Sequence, residues 1–123
     1  MTGNSSVEDI QWLLHCLGVT ENYTGFFPTV YAIQLAIRDP DRLALVTKLI
    51  YPDVARQFGT NWKAVERNMR TMVSAIWANN PLLLCELAGR QLSGKPKNST
   101  FLAIVAGSCG KQWAKKFEEL GDT

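Results

Sequence analysis

The chain has 123 residues, 46% hydrophobic and 20% charged, with a formal net charge of +2, which suits one domain with a real core and excludes a disordered or fibrous chain. No apolar run approaches the roughly 20 residues of a membrane span, and Met1 to Ser6 lacks the charged and apolar regions of a signal peptide. The expectation is a single domain over 1–123, cytoplasmic and without a membrane partner. So small a net charge does not announce a nucleic-acid binder, so the placement of the charges must decide.

In chain order, Ser5 and Glu8 have the spacing of a capping box, and Val7, Ile10, Leu13, Leu14 and Leu17 form one apolar face that Gly18 stops. A second segment, about Thr24 to Arg38, carries Phe27, Val30, Tyr31, Ile33 and Ile37 around much of its circumference, as a buried central helix would. Asp39 and Pro40 form an N-cap and first-turn pair, opening a third helix with Leu43, Val46, Leu49 and Ile50 facing inward. Pro52 starts a short fourth helix that Gly59 can end in a left-handed conformation. Thr60 or Asn61 then caps a fifth, running to about Ala78. Asn80 and Pro81 open a sixth from Leu82 to Ala88, and Ser99 opens a last one with Phe101, Ile104, Val105, Trp113, Phe117 and Leu120 on one side. Gly107 and Gly110 mark a place where that helix can break or bend. No alternating pattern bounded by hairpin turns occurs, so no strand is predicted.

Cys16, Cys85 and Cys109 are far apart and odd in number, and read as small apolar residues kept reduced. With one histidine, His15, no clustered acids before Glu118 and Glu119 and no phosphate-cradling glycine loop, the chain offers no catalytic constellation, metal site or cofactor box. It is not expected to be an enzyme.

The fourth and fifth helices have the layout of a helix-turn-helix over about 51–78. Ala55 is the small residue where the helices would cross, Val54 and Phe58 the inward face of the first helix, Gly59 the turn and Val65 the first anchor of the second. The later apolar anchor is displaced, with polar Asn68 followed by Met69. At 100° per residue, Val65, Met69, Met72, Val73 and Ile76 share one stripe, and Lys63, Arg67, Arg70 and Ser74 lie opposite. Such a helix can dock by its apolar side and present cations to a major groove, where Arg67 could take a guanine edge, Glu66 could accept from a cytosine amino group, and Lys63 and Arg70 could contact phosphates. An ordinary solvated face can have the same composition, and pattern alone does not separate the two. Trp62 and Trp77 read as core packing.

The string IYPDVARQFGTNWKAVERNMRTMVSAIW from Ile50 to Trp77, with LGVTENYTG upstream and KPKNSTFLAIVA downstream, resembles the C-terminal DNA-binding effector domain of the master sporulation response regulator, the stage-zero sporulation protein A family. The likeness runs from about Leu14 to Ala106. It implies a compact all-α, six-helix domain whose fourth and fifth helices form the motif, binding double-stranded DNA at a short box, often as tandem copies, and contacting the sigma factor of RNA polymerase to regulate transcription. Glu66 and Arg67 match base-reading positions. The expected DNA-facing set is Thr60, Asn61, Trp62, Lys63, Ala64, Glu66, Arg67, Arg70, Thr71 and Ser74.

The chain departs from the family in three ways. The family's other base-reading arginine falls on Ala64, so a changed or weaker DNA preference is expected. The family's receiver domain has no counterpart in these 123 residues, so, if the chain is complete, control by phosphorylation of such a domain is not expected. The stretch from Asn80 to Lys95, where the family meets polymerase, is diverged. The alternative is an effector-like protein-interaction module that has lost specific DNA binding.

Overall fold

A computed structural model describes residues 7–109, all of whose regular structure is helical. The elements are α1 (Val7–Cys16), α2 (Phe26–Arg38), a 3₁₀ turn (Pro40–Leu45), α3 (Val46–Leu49), α4 (Tyr51–Gln57), α5 (Trp62–Asn79), α6 (Pro81–Ala88) and α7 (Asn98–Ser108). The all-α expectation holds. The described residues contain seven α-helices, the number read along the chain, where the family resemblance implied six.

The predicted third helix is the element that changed most. Asp39 occupies the N-cap position without a side-chain cap bond, and Leu45 at φ −142°, ψ 68° breaks the run between the 3₁₀ turn and α3. A single helical phase therefore does not carry through from Leu43 to Ile50. Val46 and Ile50 are buried as expected, but Leu49 is exposed, with Leu45 beside the break still more so.

α2 lies at the centre, packed against α1, α4, α5, α7 and the 3₁₀ turn. Its buried residues, Phe26, Thr29, Val30, Ala32, Ile33, Leu35 and Ala36, cover most of its circumference, and only Phe27 near its start is well exposed among the predicted apolar positions. Phe26, Met69, Met72, Ile76 and Phe101 come from three helices and are fully enclosed in one core. Each such side chain contributes about 1.5–3 kcal/mol by leaving water.

Polar groups tie the helix ends together. The last carbonyls of a helix have no partner within it, and here the end of α5 supplies donors to the end of α1. Asn79 Nδ2 donates to the Gly18 carbonyl (2.9 Å) and Asn80 Nδ2 to that of Cys16 (3.0 Å). Asn80 also caps α6, its Oδ1 accepting from the Leu83 amide at 3.2 Å. One side chain thus closes one helix and opens another. The capping box at Ser5, the glycine at 110 and the apolar positions Trp113, Phe117 and Leu120 lie outside the described residues.

Candidate nucleic-acid interface

The first helix of the motif is anchored on both faces. Tyr51, Val54 and Ala55 are buried, the small Ala55 letting α4 approach α5 closely. On the outer side Asp53 accepts from Arg42 Nη1 at 2.6 Å and also pairs with Arg56. The Arg42 hydrogen bond, foremost, holds the Asp53 carboxyl below the usual carboxylate range.

The turn follows from Gly59 and Asn61. Gly59 has φ +65°, a conformation that other residues adopt at a cost, and it lets the Thr60 amide donate back to the Ala55 carbonyl at 2.9 Å, the long bond of a Schellman closure. Of the two predicted caps for α5, Asn61 is the one used, its Oδ1 accepting from the Ala64 amide at 2.9 Å. Phe58, expected to face inward, is instead 41% exposed and meets the Tyr31 ring edge-on, with centroids 6.0 Å apart. It sits at the C-cap, where the chain has already begun to turn away from the core.

α5 buries Val65, Met69, Met72, Val73 and Ile76, the five predicted positions. Lys63, Arg67, Arg70 and Thr71 are exposed, and Ala64, Glu66 and Ser74 are half-buried at the edges. Trp62, read from sequence as core, is 44% exposed, with the Lys63 ammonium 5.9 Å from its ring centroid. As the first residue of α5 it precedes the turn on which Val65 starts the core stripe. Trp77 is partly buried against the core, as expected.

The outer face is partly tied. Arg70 Nη1 donates to Glu66 Oε2 at 2.6 Å, the Thr71 hydroxyl to the Arg67 carbonyl at 3.1 Å, and Lys95 Nζ to Ser74 Oγ at 2.9 Å. The Arg67 guanidinium has no hydrogen-bond or ion-pair partner among the described residues. It is therefore available to a ligand without breaking a contact.

Sequence reasoning missed the residue that sets α5 in place. Asn98, buried at the start of α7, donates from Nδ2 to the Tyr51 hydroxyl (3.1 Å) and to the Glu66 carbonyl (3.0 Å). Burial foremost pushes the Tyr51 phenol up, so it stays neutral. These contacts join positions 47 and 32 residues apart in the chain, and periodicity is blind to them. The only sequence signal was the presence of Asn98 in the KPKNST string.

Elsewhere, His15 is exposed, stacked on Phe26 with centroids 5.5 Å apart and joined to Glu21 at 2.9 Å. The three cysteines are free thiols, and burial pushes Cys109 up to about 12. Among the described residues no three His, Cys, Asp or Glu are grouped to hold a metal, and no helix is long and apolar enough to cross a membrane.

Two helices locked by a glycine turn, the second with a buried apolar stripe and a cationic outer side, define a helix-turn-helix domain. The family described as sporulation initiation factor Spo0A C terminal matches residues 10–109 of the 123. The chain belongs to that family, the DNA-binding effector domain of a sporulation regulator.

Proposed function

We propose that this chain binds double-stranded DNA sequence-specifically through α5 and thereby regulates transcription in the cytoplasm. The observation that carries this reading is the outer face of α5, where Arg67, without a partner among the described residues, stands beside Lys63 on a helix fixed by its cap, its core stripe and Asn98. Arg67 takes a base edge in the major groove. Glu66 accepts from a neighbouring base while Arg70, its ion-pair partner, orients it. Lys63, Thr71 and Ser74 meet the backbone, and Thr60, Asn61 and Trp62 stand at the groove edge, Asn61 with only its amide NH₂ free of the cap. Family membership supports two further parts of this reading, tandem self-association on adjacent boxes and contact with a polymerase sigma factor. Leu82 on α6, 74% exposed within the diverged 80–95 stretch, supports a protein contact there.

Binding to pool-selected duplexes at several salt concentrations tests the proposal, because counterion release makes DNA affinity fall steeply with salt. Arg67→Ala should lose about 1–3 kcal/mol on the best site and relax preference at one base pair, whereas Lys63→Ala should weaken all sequences alike. Equal, sequence-independent losses would make Arg67 a phosphate contact. Absence of any duplex binding at low salt would leave the interaction module as the better reading.

Ala64 is half-buried at the edge of α5, and its amide, not its side chain, is engaged by the cap. A longer side chain there can extend toward the groove. Ala64→Arg should therefore strengthen binding to the family's DNA box by about 1–3 kcal/mol. A gain of the same size on unrelated DNA would show charge attraction alone and count against base reading at this position.

A further inference from the structure

Next to the outer face of α5 lies a groove of about 370 Å³ between α3, α5 and the start of α7, lined by Thr47, Glu66, Arg70, Lys95, Lys97 and Ser99. Three cations face one carboxylate, and that carboxylate is already held by Arg70. The groove is continuous with the recognition face, since Glu66 and Arg70 belong to both and Lys95 reaches across to Ser74.

The start of α7 is built against its own stability. Lys97 sits at the N-cap with extended backbone (φ −71°, ψ 161°), makes no side-chain cap bond, and is followed by no acid in the first turn. A lysine has no acceptor with which to cap the first amides, and its charge is repelled by the positive end of the helix dipole. Serine, threonine, aspartate or asparagine would each serve the helix better. A bound anion would reverse the sign of both effects, accepting from the first amides, which no side chain caps, and pairing with Lys97 and Lys95.

Resting on the DNA-binding reading above, we propose that this groove seats one backbone phosphate of the duplex, flanking the major groove that α5 reads. The site supplies affinity and register, and carries no base information.

The test uses a duplex that the wild-type chain selects from a random pool. Lys97→Ser installs a good cap, so the variant should melt at a higher temperature than the wild type while binding this duplex more weakly. The slope of log affinity against log salt should fall by about 1, so the wild-type advantage shrinks about three- to fourfold between about 50 mM and about 200 mM salt. Replacing single phosphates by neutral methylphosphonates should reveal one position that weakens the wild type and leaves Lys97→Ser unaffected.

A wild type that binds with a salt slope equal to that of Lys97→Ser, and no such phosphate position, would overturn the phosphate seat while leaving DNA recognition by α5 intact. Inorganic phosphate raising the melting temperature of the wild type only, with DNA binding identical in the two proteins, would overturn it in favour of a small-anion site. A wild type that binds no duplex removes the DNA reading and this proposal together.

Discussion

Truncation of Phe101 to alanine should destabilise the fold by about 3–5 kcal/mol, the range for removing a fully enclosed aromatic ring. Phe101 is completely buried, and its helix packs on α2, α5 and α6. The ring's transfer energy is lost, and the cavity left among three helices cannot collapse without moving the central one. α7 also carries Asn98, three residues earlier, so loosening it weakens the hold on α4 and α5. Urea unfolding followed by circular dichroism measures the loss. A change below about 1 kcal/mol would mean that α7 lies outside the cooperative unit.

A single methyl group at position 25 should do almost as much damage from the opposite direction. A Cβ added to Gly25 would stand 2.7 Å from the carbonyl oxygen of Asn68 and 3.0 Å from its carbonyl carbon. These are backbone atoms in the middle of α5, and no rotamer change can clear them. Either the start of α2 or the recognition helix itself must shift, at about 1–3 kcal/mol for overpacking. Gly25→Ala also replaces a tolerated N-cap of α2 with a poor one. Gly94→Ala is the control, because nothing lies within 4 Å of a Cβ there. The expected result is lower stability and weaker DNA binding for Gly25→Ala, with Gly94→Ala close to wild type. Equal stability of the two would show that α2 and α5 are not in such close contact.

That contact also accounts for an irregularity visible in the sequence. Asn68 stands where the motif usually has an apolar anchor, and here the backbone at Asn68 abuts Gly25, with Met69 taking the buried place. The five-residue stripe of α5 was legible because one helix of 18 residues keeps a single phase. Gly59, Asn61 and Asn80 were legible because caps and turns are decided by near neighbours. Leu49 was misread because the break at Leu45 shifts the phase, and no residue there is an obvious breaker. Phe58 and Trp62 were misread for a different reason. They flank a turn, where the helical period no longer says which way a side chain points.

The candidate site divides in the same way. Its exposed cations follow from the period of one helix, whereas the pairing of Glu66 with Arg70 and of Ser74 with Lys95 depends on rotamers and on a distant loop. Asn98 belongs wholly to the second kind.

The pair of hydrogen bonds donated by Asn98 bears on how recognition would proceed. With one amide group holding the Tyr51 hydroxyl of α4 and the Glu66 carbonyl of α5, the two helices meet a duplex as one preassembled piece. The ordering entropy that a loose reading helix would surrender on contact has already been lost during folding. A contact removed from the face of α5 should therefore appear at its full size in the binding constant, undiluted by rearrangement of the helix that carried it.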